Sequence, residues 1–348
     1  MGRKMQADGG AGHVTLADVA RRVGASTITV SRALRRPEMV SEALRKRIAI
    51  AVDELGYLPD PAARALASRR SEVIGVLIPS VTNAVFSDVL TGIYDTVSDT
   101  PFSVQLGNTR YRPETETDLI RVFLSQRPAG LIVAGVDQAP AARGLLDRAT
   151  CPVVQIMELD DDPVDMLVGF SHRDAARAAT EHLLSQGYRA PAFLGARMDP
   201  RSLRRLAGFR DALAVAGLST TGREMITTEP SSVRLGGQLF ERQRDADPAT
   251  DAVLCNNDDL ALGAQFAAQR AGLRVGPDIG ICGFNDLEVM ASAVPPITSV
   301  KTHRRKMGEM AARLVLDRLD GAADTPSVTD LGWTLIARPS TMRDGSLR

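Results

Sequence analysis

Apolar positions recur along this chain with two different patterns, and each predicts a different kind of element. From Thr15 the residues Leu16, Val19, Ala20 and Val23 fall at i, i+3, i+4 and i+7, the stripe of a short amphipathic helix. Thr15 caps it, and Asp18 follows where a carboxylate favours the positive end of the helix dipole. Gly24 supplies a tight turn. Ser26 then caps a second helix through about Leu34, with Val30, Ala33 and Leu34 inward and Thr27, Ile28, Ser31 and Arg32 outward. Pro37 breaks the pattern, and Ser41 begins a third helix with an inner face of Leu44, Ile48, Ala51, Val52 and Leu55, stopping at Gly56. Three short helices around one small core predict a helix-turn-helix head, whose second helix, presented this way, can lie in a DNA major groove.

After residue 71 the pattern changes to apolar runs of strand character at 73–79, 102–107, 130–135, 152–157, 165–170, 191–196, 251–256, 279–284 and 297–302. Helical patterns such as 175–184, 202–216 and 260–271 lie between them, and this alternation predicts parallel sheets with helices on both faces. Two similar halves follow, each opening with a strand and a loop, at 80–86 and 196–205, with the chain crossing between them near 169–172. A late strand near Thr298, a helix over 304–319 and a strand over 331–340 return to the halves in turn. The expected division is a flexible tail at 1–13, an all-α head at 14–61, a hinge helix at 62–71 and a two-lobed α/β core at 72–345. Its first lobe takes about 72–168 and 301–329, and its second about 171–298 and 331–345.

Charge sharpens the reading of the head. The whole chain balances 42 basic against 42 acidic residues, yet 14–71 holds eleven basic and six acidic ones. A charge run alone fits a solvated face. Joined to the helix-turn-helix pattern it fits phosphate contacts, with binding falling at a log–log salt slope of about −0.9 per phosphate.

Composition limits the alternatives. The 348 residues suffice for a small domain plus a two-lobed one. Residues 1–13 hold no sustained apolar run, so no secretory signal is expected, and no stretch reaches the roughly 18 apolar residues of a membrane span. Cys151, Cys255 and Cys282 are odd in number, form no C-x-x-C and lie at or beside strand runs, as buried reduced thiols of a cytoplasmic protein do. The chain lacks G-x-S-x-G, G-x-x-x-x-G-K-[S/T], H-E-x-x-H and a post-strand G-x-G-x-x-G, so an enzyme reading finds no machinery. A solute-binding protein would need an export signal and have no use for the head. No catalytic residue, metal or cofactor is expected.

The run VTLADVARRVGASTITVSRAL, followed by VSEALRKRIAIAVDELGYLPDPAARALASRRS, resembles the head and hinge of the LacI/GalR family of transcription regulators, and the resemblance covers nearly the whole chain. It implies that Thr27, Ile28 and Arg32 read bases, and that Thr15, Ser26, Thr29 and Ser31 contact phosphates of operator DNA. Leu66, in R-A-L-A-S, is implied to wedge into the minor groove at the centre of a palindromic site and bend it. For the core the resemblance implies a periplasmic-binding-protein-like fold with an effector cleft between lobes, at the carboxyl ends of the strands. Tetrameric members carry a leucine-heptad tail after the position of Ser340, so its absence points to a homodimer.

In that cleft the resemblance places Asn83 and Phe86, Arg205 in R-R-L-A-G-F, Asn257 and Asp258 in N-N-D-D, and Asn285 in G-F-N-D, where aspartate is more usual. An arginine fork such as Arg205 binds adjacent hydroxyls or a carboxylate through paired hydrogen bonds. Asn257 and Asp258 also fit helix capping, Phe86 fits packing as well as ring stacking, and Glu158 fits either hydroxyl binding or the end of its strand. The acidic run 160–162 reads as a solvated loop, and His172 and His303 as structural histidines near the lobe crossovers. Arg197, Arg201 and Arg204 join Arg205 in a basic cluster suited to an anionic effector. The loops S-V-T-N-A-V-F, V-G-F-S-H-R-D-A-A-R-A, L-G-A-R-M-D and C-N-N-D-D-L-A-L-G-A are most similar to the gluconate-utilisation repressors within the family. The implied effector is gluconate or a close sugar acid that releases the protein from its operator. Another sugar, or a purine-type co-repressor that strengthens DNA binding, is the alternative.

Overall fold

The computed structural model describes residues 14–35, 37–58, 70–322 and 324–343, and the chain divides into two compact units between Ser71 and Glu72. In the first unit α1 (Leu16–Val23) packs against α2 (Thr27–Arg35) and α3 (Glu42–Leu55). The Asp18 carboxylate reaches back over the first turn and accepts from the Thr15 amide at 2.9 Å and hydroxyl at 2.6 Å. Gly24 and Gly56, at φ +67° and +63°, end α1 and α3 in the left-handed conformation that side chains resist. Val19, Val30 and Ile48 meet at the centre of the small core; full burial of each stabilises by about 1.5–3 kcal/mol. Leu34, expected inward, is 37% exposed. It follows Ala33 by about 100° around the helix, which carries it past the edge of the stripe set by Val30 and Ala33.

The second unit contains two six-stranded sheets of the same order. The first runs β11 (Val328–Asp330), β5 (Met166–Gly169), β4 (Val153–Ile156), β3 (Gly130–Ala134), β1 (Val73–Ile78), β2 (Ser103–Asn108). The second runs β12 (Trp333–Ile336), β10 (Thr298–Thr302), β9 (Gly280–Asn285), β8 (Ala252–Cys255), β6 (Pro191–Gly195), β7 (Glu224–Ile226). All neighbours are parallel except β12, which runs antiparallel to β10. The central strands are buried along their length, which is why they read as continuous apolar runs. Each sheet is flanked by helices: α4 (Ala84–Val97), α5 (Pro113–Ser125), α6 (Pro140–Leu146) and α12 (Arg304–Leu319) in the first lobe, and α7 (His172–Ser185), α8 (Pro200–Val215), α9 (Val233–Ala246), α10 (Asp258–Arg270) and α11 (Glu288–Ser292) in the second.

Three segments cross between lobes: β5 to α7, β10 to α12, and β11 to β12. Lys301 still pairs with Asn285 and Thr334, so the second lobe holds β10 to its end and the return to the first lobe begins with α12 rather than at 301. There α12 lies so close to α4 that a Cβ on Gly308 would strike the Val89 carbonyl, and a longer side chain would part the two helices. Cys255 and Cys282 are buried, Cys151 is half-buried, and all three are free thiols. Among the described residues no helix is long and apolar enough to cross a membrane.

Candidate functional site

Parallel strands deliver the loops after β1, β6, β8 and β9, and the N-termini of the helices that follow, to one face of each lobe. The caps of α4, α8 and α10 are Asn83, Asp199 and Asn257. They accept from the amides of Val85 at 3.0 Å, Ser202 at 2.9 Å and Leu260 at 3.1 Å. Capping occupies only the Oδ1 atom of each asparagine and leaves both amide groups without a protein partner among the described residues. Capping and ligand contact are therefore compatible at these positions.

A cleft partly open to solvent, with about 450 Å³ of free space, brings Asn83, Phe86, Arg197, Arg201, Arg205, Asn257 and Asn285 together between the lobes. Tyr111, Asp199, Ser202 and Ser231 also line it and were not foreseen. Asp199 had a legible signal, since an acidic residue before Pro200 is a helix-start signature. Tyr111 had none, because it enters from a left-handed backbone position, φ +58°, that favours glycine rather than an aromatic.

Arg205 projects from α8 and is 7% exposed. Its Nε donates to Nδ1 of His172 at 3.1 Å and its Nη1 to the carbonyl of Asn256, while the guanidinium lies 3.9 Å from the Phe284 ring centre. It makes no ion pair among the described residues, and burial pulls its pKa down to about 10 against the opposing pull of Asp199. Arg201 pairs with Asp199 at 3.3 Å and stands 5.7 Å from the Phe86 ring centre, while Arg197 stacks 4.0 Å over Tyr111. The lining thus carries three guanidinium groups against one carboxylate. Met157, Arg197 and Asn285 hold φ of +86°, +63° and +112°, conformations that cost about 1–3 kcal/mol each and gather at ligand-binding walls.

Glu158 and Asp258 do not line this cavity, because each carboxylate turns to donors inside the protein. Glu158 Oε1 accepts from the Leu159 amide at 3.0 Å and the His172 amide at 3.4 Å, and Oε2 lies 3.4 Å from Arg204 Nε. Its pKa is raised by burial. Asp258 accepts from the Leu287 amide and the Ser299 hydroxyl, both at 2.7 Å, and burial pushes its pKa up to about 7. Both carboxylates brace the walls. Arg204 grips Asp137 through two 2.7 Å hydrogen bonds, joining α8 of the second lobe to the loop after β3 of the first.

In the head, Thr27, Ile28 and Arg32 stand on the outer face of α2, with Ile28 69% exposed and Arg32 unpaired among the described residues. Ser26 Oγ accepts from the Thr29 amide at 3.1 Å and lies 2.8 Å from the Thr29 hydroxyl, which preorganises that pair at the start of the helix. Ser31 is half-buried, and the Thr15 hydroxyl is bonded to Asp18. Four cations of the basic run have partners within the head: Arg47 on the Val23 carbonyl at 2.6 Å, Arg22 on Glu54 at 2.8 Å, Arg21 on Asp18 at 2.9 Å and Lys46 on Glu42 at 2.9 Å. Leu66 and most of the hinge at 62–71 lie outside the described residues.

Known proteins share both units. The profile of the bacterial regulatory proteins of the lacI family matches residues 15–60, and that of a periplasmic binding protein-like domain matches 180–341. The chain is 42% identical over 330 residues to the HTH-type transcriptional regulator GntR of Pseudomonas aeruginosa, covering 95% of this chain and 96% of that one. This chain belongs to the LacI family. A LacI-family regulator from Silicibacter pomeroyi superposes with a TM-score of 0.88 at 35% identity, over 94% of this chain and 98% of that one. The lac repressor dimer bound to operator and the anti-inducer ONPF superposes with a TM-score of 0.83 at 29% identity, over 95% and 100%. This LacI-family protein is a DNA-binding transcriptional regulator, and its relatives are regulators rather than enzymes.

Proposed function

We propose that this LacI-family protein is a cytoplasmic homodimeric repressor of sugar-acid metabolism genes, and that gluconate or a close sugar acid binds between its core lobes and releases it from a palindromic operator. The observation that carries this reading is Arg205, a buried guanidinium with no carboxylate of its own. A buried cation is stable when paired, and the missing partner is supplied by an anionic ligand. Arg197 and Arg201 add positive charge, and the N-termini of α4, α8 and α10 add the favourable ends of three helix dipoles. Asn83, Asn257, Asn285, Ser202 and Ser231 offer the neutral donors and acceptors that a chain of hydroxyls requires. A neutral sugar or a purine would engage the Arg205 donors through its own acceptors but leave the net positive charge of the lining uncompensated. The similarity of the cleft loops to gluconate-utilisation repressors supports the same choice.

In this reading Thr27, Ile28 and Arg32 read base edges, Thr15, Ser26, Thr29 and Ser31 meet phosphates, and Leu66 wedges into the minor groove. Residues 14–61 form the reading head, 62–71 the hinge and 72–345 the effector-binding and dimerisation core. Effector shifts the population toward a core geometry that disfavours an ordered hinge, and a coupling of about 1–3 kcal/mol lowers operator affinity about 5- to 150-fold. Calorimetric titration with gluconate, 2-ketogluconate, idonate, ribose and a purine tests the effector class. The sugar acids should bind and the other two should not; binding of ribose or the purine with no heat from any sugar acid would contradict the reading.

A further inference from the structure

We infer that His172 is a positioning residue for the effector site: as the neutral Nε2–H tautomer it fixes the Arg205 guanidinium so that its remaining edge faces the cavity and receives the effector's carboxylate. The inference rests on the proposed effector reading for the identity of the ligand, but not for the contact itself. Arg205 Nε can only donate, so His172 Nδ1, 3.1 Å away, must be an acceptor. The Met157 carbonyl can only accept, so Nε2, 2.8 Å away, must carry the hydrogen. The two neighbours together dictate one tautomer and forbid the imidazolium, whose Nδ1–H would oppose the arginine N–H. Complete burial and the charges of Arg205 and Arg201 hold the ring well below the ordinary histidine range, in agreement with that geometry.

The ring itself is fixed by its neighbours. Phe170 tilts against it at 4.3 Å between centroids, and Phe284 stacks at 5.7 Å while carrying the Arg205 guanidinium on its face. Arg205 is consequently held at Nε by His172, at Nη1 by Asn256 and over its plane by Phe284, leaving Nη2 without a protein partner among the described residues. A long side chain ordered before ligand arrives loses less entropy on binding. The parts of this support come from different places: His172 opens α7 just after the chain crosses from β5, Met157 follows β4 of the first lobe, and Arg205 belongs to α8 of the second. Arg205 is therefore aligned against the crossover, where a lobe movement would be felt.

The full-length protein tests this in two ways. Imidazole nitrogen NMR should show His172 Nδ1 unprotonated and Nε2 protonated at neutral pH, as the two hydrogen-bond partners require and in keeping with a pKa lowered by burial. A protonated Nδ1 would overturn the inference whatever the ligand. Substitution then separates positioning from packing, with gluconate as the titrant and operator binding as the check on folding. H172N keeps an oxygen acceptor where Nδ1 stands, whereas H172Q keeps a donor toward Met157 and loses that acceptor. The gluconate Kd should rise about tenfold or more in H172Q and no more than about threefold in H172N, with effector-free operator affinity within about twofold of wild type in both. Equal losses in the two variants, or none in H172Q, would reduce His172 to core packing and overturn the inference. If wild type fails to bind gluconate, or Arg205→Ala binds it normally, the effector reading falls; the nitrogen spectra would still decide whether His172 holds Arg205.

Discussion

The residues proposed to read DNA in the head and those proposed to hold effector in the cleft stand in opposite environments. On α2, Ile28 is 69% exposed, and the head closes its core with Val19, Val30 and Ile48 without needing the proposed reading residues. In the cleft Phe86 is 2% and Arg205 7% exposed, and the same residues hold the walls: Asn83 and Asn257 cap helices, and Arg205 ties His172 to the Asn256 carbonyl. A groove reader must reach outward to a large rigid partner, whereas a pocket must enclose a small one. The head therefore separates function from stability, and the cleft combines them.

Arg205→Ala presses hardest on that difference. Removing one partner of a buried charge-assisted contact costs about 2–5 kcal/mol, so the gluconate Kd should rise about 30-fold or more while effector-free operator affinity is kept. Calorimetry and operator titration together check it, and a fully inducible variant would show that the pocket is misplaced. Arg32→Ala comes next, with an expected loss of about 1–3 kcal/mol on the specific operator, a much smaller loss on random DNA and an unchanged melting temperature. Equal losses on both DNAs would make Arg32 a phosphate contact.

The third test concerns pH. The Asp258 carboxyl stays protonated up to about pH 7 in the fold, against an ordinary value of 3.8, because burial outweighs its hydrogen bonds. Between those values the folded state holds a proton that the unfolded chain has released. Its contribution is thus complete in acid and is lost as pH rises through 7. Asp258→Asn cannot ionise, so its urea-derived stability should decline less between pH 5 and 7, by up to about 1.4 kcal/mol per pH unit. An identical slope in the variant would mean that Asp258 is already charged. The smallest effect belongs to Asp137→Asn, which weakens the Arg204 fork between lobes. Both side chains are about one-third exposed, so the loss should be about 0.2–1 kcal/mol of stability.

The two regions also differ in how much their sequence disclosed. The head was legible because its signals are local: Thr15 with Asp18 at the start of α1, and Gly24 and Gly56 at the stops. Leu34 escaped because a residue at the edge of an apolar stripe is placed by its neighbours in space. In the core the buried parallel strands showed as apolar runs, while β7 and β11, three residues each at sheet edges, lacked the length to register. Motif positions indicated Arg205, Asn83 and Asn285. They could not show that Asp258 turns inward to Leu287 and Ser299, since an acidic residue in a helix's first turn reads equally well as exposed. The link between His172 and Arg205 spans 33 positions and exists only once α7 and α8 pack.

In the proposed mechanism an anion received by Arg205 loosens the grip of the head on DNA. Fluorescence anisotropy of the full-length protein on a palindromic site selected from a random pool, titrated with gluconate, puts that step to the test. Operator affinity should fall about 5- to 150-fold at saturation, with no such fall for Arg205→Ala. An operator affinity unmoved or strengthened by saturating gluconate, or released equally in that variant, would contradict it.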